Sequence, residues 1–190
     1  MRLPTVLVLP GWQNSGPQHW QSRWEPLHGY RRVEQHDWMR PLRGDWMARL
    51  EDEVLQHHNA SPTSPGIVLV AHSLGCLLVA AWAAHSRHHH LVQGALLVAP
   101  GDPQCEALGG VLASWSPLAL QPLPFRSILV ASQDDPYCSF ARARTFASAW
   151  SSEFVDYGRC GHINAESGLG DWPDGHRLVQ QLGGSRLAPT

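Results

Sequence analysis

Short apolar runs alternate along the chain with stretches in which apolar residues return every three or four positions. Thr5-Val6-Leu7-Val8-Leu9 is unbroken and closed by Pro10-Gly11, the pattern of a buried strand. Within 17–25, Trp20 and Trp24 stand four apart, on one face of a predicted helix. Residues 31–35 predict a weak second strand. Asp45 is a candidate cap for a helix reaching about His58, with Met47, Leu50 and Val54 on one side. Residues 59–66 carry two prolines and a glycine and predict a loop. Ile67-Val68-Leu69-Val70-Ala71 is the clearest strand, and Leu74, Leu77, Leu78, Ala81 and Trp82 follow it with helical period. Further strands are predicted at 91–99, 127–131 and 153–157. A helix capped by Ser139 turns Ala143, Phe146, Ala147 and Trp150 inward. One or two helical turns at 177–182 and a loose tail after Gly183 close the chain.

Strands that alternate with helices predict an α/β fold, and strands apolar on both faces predict a mainly parallel sheet covered on both sides. We expect six strands in the order 2-1-3-4-5-6, within one domain spanning 1–190. The stretch 100–125, rich in Pro, Gly and Leu and holding Trp115, is a long irregular connection and a candidate rim over a site.

Composition narrows the function classes. The net charge is −2, so no field of one sign points to nucleic acid or an anionic membrane. All 14 basic residues are Arg. No window is long and apolar enough to cross a membrane, and Pro4 and Pro10 break the apolar N-terminus, which lacks a signal-peptide cleavage pattern. The expectation is a cytoplasmic protein. Cys76, Cys105, Cys138 and Cys160 form no C-x-x-C pair and read as reduced thiols. His88, His89 and His90 are consecutive, which suits a polar surface turn better than a metal site.

The chemistry centres on Ala71-His72-Ser73-Leu74-Gly75, placed between the strongest strand and a strong helix. In that setting the pattern describes a sharp strand-to-helix turn that lifts a serine hydroxyl above the sheet edge. Ala71 stands where such turns commonly have glycine. The rival reading is an ordinary N-cap serine. A serine hydroxyl needs a base, and the base needs a third group to set its tautomer. Ser132-Gln133-Asp134-Asp135-Pro136 follows one predicted strand and Gly161-His162 follows the next, in the order serine, acid, histidine. Spacing alone does not choose between Asp134 and Asp135. His72 adjoins the serine and is expected to pack behind it. An oxyanion needs two N–H groups; the amide of Leu74 and that of Trp12, in the loop after the first strand, are the candidates.

With these residues in hand, the chain resembles the YdeN-like serine hydrolases, the family related to retinoblastoma-binding protein 9. The landmarks are Leu9-Pro10-Gly11-Trp12, Pro17-Gln18-His19-Trp20-Gln21, the segments around Ser73 and Asp135, Gly161-His162-Ile163-Asn164, and Ser167 to Pro173. The resemblance runs from about Leu3 to Gly175. It implies a compact α/β-hydrolase fold and a triad of Ser73, Asp135 and His162. It also implies hydrolysis of a small ester, thioester or amide substrate, with no metal or organic cofactor. Trp12, Trp20 and Trp115 are candidate pocket walls, and Cys76 and Cys160 candidate apolar filler near the machinery. A fold that kept its shape, lost its chemistry and serves as a binding module is the alternative. A nucleotide binder is disfavoured because Pro17-Gln18 stands where a Walker loop after Gly11 and Gly16 needs Lys and Ser or Thr.

Overall fold

The structure is a computed structural model, and it describes residues 4–60 and 65–184. Strands β1 (Thr5–Leu9), β2 (Arg31–Arg32), β3 (Ile67–His72), β4 (Val92–Val98), β5 (Arg126–Ala131) and β6 (Glu153–Asp156) form one sheet in the order 2-1-3-4-5-6. Every pairing is parallel. Helices α1 (Trp20–His28), α2 (Arg43–Ala60), α3 (Leu74–His85), α4 (Glu106–Gly109), α5 (Phe140–Trp150) and α6 (Pro173–Gly183) connect and cover it.

Alternate strand residues feed two separate cores. Leu7, Leu69, Leu97 and Leu129 face one layer, filled by Trp46 and Leu50 of α2, Leu78 of α3 and Phe146 of α5. Val6, Val68, Val70, Leu96 and Val130 face the other, filled by Trp20 and Trp24 of α1 and by Val179 of α6. The run-on apolar strands in the sequence are therefore a sheet covered on both faces, which is why β3 is buried from end to end.

Several boundaries differ from the sequence reading. The first helix starts later, at Trp20, because the His19 side chain accepts the Gln21 amide and caps it there. It runs on past Pro26, within the last turn, and stops at Gly29 in the left-handed region. Asp45 is not a cap; α2 begins at Arg43 and Asp45 lies in its first turn, where a carboxylate suits the helix dipole. The second strand shrinks to two residues on a sheet edge. The last helix begins at Pro173, whose ring suits a first-turn position. The stretch 100–125 holds α4 and a 3-10 turn, Ala113–Trp115. His88 pairs through Nδ1 with Glu51 at 2.6 Å, beside a 3-10 turn at His89–Leu91. Of the predicted loop and tail, 61–64 and 185–190 lie outside the described residues. Among the described residues no helix is long and apolar enough to cross a membrane.

The approach of α3 to β1 sets the geometry of the sheet edge. A Cβ at Gly75 would overlap the carbonyl oxygen of Leu9, a backbone atom that cannot swing away. Gly75→Ala is therefore expected to lower stability by about 3 kcal/mol, the upper end for overpacking. Gly16→Ala, with nothing within 4 Å of the new methyl, should leave the urea midpoint near wild type. Equal midpoints for the two variants would disprove the close approach.

Candidate active site

β3 passes into α3 through one residue. Ser73 has φ 54 and ψ −119, outside the regions open to a relaxed L-residue. Its N–H donates to Val98 O at 3.0 Å, so β4 holds the turn in place. The flanking glycines are required by contact: a Cβ at Gly11 would lie 2.8 Å from Ser73 Cβ. Ala71 is fully buried, and its methyl fits within the core.

The loops after β5 and β6 reach the same edge. His162 Nε2 lies 3.0 Å from Ser73 Oγ, and Nδ1 lies 2.9 Å from each carboxylate oxygen of Asp135. A carboxylate only accepts, so Nδ1 carries the proton and Nε2 offers a lone pair to the hydroxyl. The His162 and Asp135 side chains are 9% and 3% exposed, so their mutual attraction is weakly screened. The rings of Tyr137 and His72 flank the imidazole, with centroids 4.7 and 4.8 Å away.

Asp134 turns elsewhere. Its Oδ1 accepts from Ser132 Oγ and from the Gly161 amide, each at 2.9 Å. The bond from Gly161 N–H, then that from Ser132, holds its carboxyl below the ordinary range. One aspartate of the pair thus ties down the histidine loop and the other meets the ring. Cys76 and Cys138 are buried, and burial drives both thiols well above the usual range, so neither competes with the serine as a thiolate. Cys160 is only partly buried, and all four cysteines are free.

The turn after β1 closes the other side. Gln13 and Asn14 have φ of 68 and 65, and the Gln13 and Asn14 amides donate to Trp38 O and Gly11 O. Among the described residues the Trp12 amide donates to no protein acceptor. Leu74 opens α3, so its amide has no acceptor within the helix. A Cβ on Gly11 would lie 3.2 Å from Leu74 N, so the turn and the helix start are adjacent. Trp12 and Leu74 line one cleft with Ser73, where amide donors without an acceptor suit a developing oxyanion.

A cleft of about 310 Å³ opens here, with Ser73 and His162 in its wall. Leu108 and Leu112, from the stretch 100–125, supply an apolar side, and Trp12, Asn14 and Glu166 also line it. Trp20 and Trp115 do not line it. Each is 1% exposed and packed in a core, and each indole N–H is satisfied by a carbonyl, Ile163 O at 2.8 Å and Pro41 O at 2.8 Å. A ring that large, with its one donor paired, is stabilised more by burial than by lining an open cleft. Leu108 and Leu112 belong to the stretch 100–125 expected at the rim of the site, although neither was singled out in the sequence, and Tyr137 was not anticipated there. Nor was His19, which borders the cleft. His19 Nδ1 accepts the Gln21 amide, leaving the proton on a buried Nε2 that meets no acceptor among the described residues. Among the described residues no cluster of three metal-ligating side chains occurs.

A family model described as serine hydrolase matches residues 6–181. A YdeN-like hydrolase from Pectobacterium atrosepticum is 31% identical, with a TM-score of 0.78 over 95% of this chain and 91% of that one. The ydeN gene product from B. subtilis is 18% identical, with a TM-score of 0.73 over 94% and 98%. Thermogutta terrifontis esterase 2, in a form phosphonylated by cyclosarin, is 20% identical, with a TM-score of 0.66 over 100% and 86%. The last two likenesses are of fold. No curated protein matches the chain.

Burial lowers the His19 imidazole from 6.5 to about 3 and holds that of His72 well below its ordinary value. Both are neutral when folded and free to protonate when unfolded. The unfolded chain therefore binds more protons below pH 6.5, and stability falls as pH drops through that value. The melting temperature should be level above about pH 7 and decline toward about pH 4.5, and His72→Gln should make that decline shallower. Parallel pH profiles for the two proteins would show that His72 does not contribute to it.

Proposed function

The chain belongs to the serine hydrolase family, and on that premise we propose that Ser73, His162 and Asp135 perform a two-step acyl transfer on a small ester, thioester or amide. His162 takes the hydroxyl proton as Ser73 attacks the carbonyl carbon. The negative charge that develops on the carbonyl oxygen rests on the amides of Trp12 and Leu74. Asp135 holds the Nδ1 tautomer and stabilises the imidazolium. Protonated His162 then gives its proton to the leaving alcohol, thiol or amine. Water repeats the sequence on the acyl-enzyme and regenerates Ser73. The observation that carries this reading is the single imidazole bridging Ser73 Oγ and the Asp135 carboxylate at 3.0 and 2.9 Å.

The cleft supports a small substrate. Its volume, about 310 Å³, is at the lower end for ligand sites. Leu108 and Leu112 suit a short apolar acyl group, and Glu166 at the same cleft disfavours an anionic one. We read 1–190 as one domain carrying the whole site.

A fluorophosphonate probe should label the wild type and leave Ser73→Ala unlabelled at an unchanged melting temperature. Absence of labelling on folded wild type would favour a binding module that lost the chemistry. Steady-state rates on short p-nitrophenyl esters and on aminoacyl amides separate esterase from peptidase. Asp135→Asn should lower kcat by roughly 10⁴, the scale for loss of the tautomer-setting carboxylate. Asp134→Asn should lower it much less, and the reverse ranking would move the acid role to Asp134.

A further inference from the structure

The backbone that carries the His162 ring is held as closely as the ring itself. Ile163, the next residue, has φ 47 and is fully buried. For a β-branched residue this conformation is strained and persists only when the surroundings impose it. Two peptide planes flank its Cα, and their relative orientation is its φ and ψ. The carbonyl of the first plane, His162 O, accepts from His72 Nε2 at 2.9 Å. The carbonyl of the second, Ile163 O, accepts from Trp20 Nε1 at 2.8 Å.

Both donors are themselves immobile. His72 ends β3, one residue before Ser73, and is 5% exposed. Burial keeps it neutral, and a carbonyl can only accept, so its one proton is on Nε2. Trp20 is wedged against Trp24 and Trp172, with ring centroids 4.7 and 4.8 Å away. It is absent from the cleft wall, so its indole has no route to substrate.

We propose that Trp20 and His72 are positioning residues, a two-point clamp on consecutive carbonyls that fixes the backbone of the base relative to the nucleophile. This rests on the reading of Ser73 and His162 as nucleophile and base. The His72 bond spans the short path from the end of the serine strand to the histidine loop, and Trp20, edge-on to the His72 ring at 6.0 Å, anchors the next peptide from α1. Releasing either carbonyl lets Ile163 relax toward an ordinary φ and swings the His162 ring away from Ser73 Oγ. A misplacement of about 1 Å in such a contact lowers rate by about a hundredfold.

The test compares indole-to-phenyl replacements in the same core. Trp20→Phe deletes the donor to Ile163 O. Trp24→Phe deletes a donor of the same kind, to Asp171 O at 2.6 Å, away from the base. Both should lower the melting temperature. Only Trp20→Phe should lower kcat on a p-nitrophenyl ester, by about ten- to a hundredfold, with KM within about twofold of wild type. It should also weaken or broaden the downfield proton resonance of the His162–Asp135 hydrogen bond. His72→Leu should behave like Trp20→Phe, and His72→Gln, which keeps an N–H at similar reach, should recover most of kcat. Equal kcat for Trp20→Phe and Trp24→Phe, measured where circular dichroism shows both folded, would reduce Trp20 to packing. Should Trp20→Phe not fold, equal kcat for His72→Leu and His72→Gln would overturn the clamp alone. Wild-type turnover by Ser73→Ala would instead overturn the nucleophile reading beneath it.

Discussion

A neutral imidazole has one proton and one lone pair, and its neighbours decide which nitrogen holds which. At His162 the carboxylate of Asp135 faces Nδ1 with both oxygens, which commits the lone pair to Nε2 and points it at Ser73 Oγ. The three residues are remote in sequence and share no secondary-structure element. The fold's principal geometric task is to bring their loops to one spot and keep water from loosening them.

A parallel sheet suits that task because every strand delivers its following loop to the same edge. Ser73 follows β3, Asp135 follows β5 and His162 follows β6, while the turn after β1 brings the Trp12 amide. The tight packing of Gly75 against β1 and of Gly11 against Ser73 leaves no slack between the turn and the helix start. The short distances at the site are thus consequences of backbone packing several residues away.

The layer that holds α1 and α6 is built around three buried indoles. Trp20, Trp24 and Trp172 pack together, and each donates its N–H to a group in the C-terminal loops: Ile163 O, Asp171 O and Tyr157 Oη. Indole combines a large apolar area with a single directional donor, so the same side chain fills the core and ties a loop down. The loop bearing His162 is pinned from this layer by Trp20, from the sheet by His72 and from the β5 loop by Asp134.

Much of this was legible in the chain alone. Strand identity and the two covered faces follow from apolar periodicity, which reports burial directly, while the strand order follows from the α/β class that the alternation of strands and helices implies. Ser73 stood out because a serine between the strongest strand and a strong helix has few other reasons to be flanked by small residues. His162 stood out because it follows a strand in the right order. Asp134 and Asp135 are alike in type and adjacent, and only the path of the loop decides which of them turns to the ring and which accepts Gly161 N–H. Trp20 and Trp115 look the same in sequence whether they wall a cleft or fill a core. Their burial depends on which helices pack over them, and that is set by contacts between residues far apart in the chain. The order of residues along the chain sets the periodicities and names the reactive groups. Direction and distance arise only when the chain folds, because a side chain's bearing depends on backbone torsions and packing that no single stretch of residues specifies.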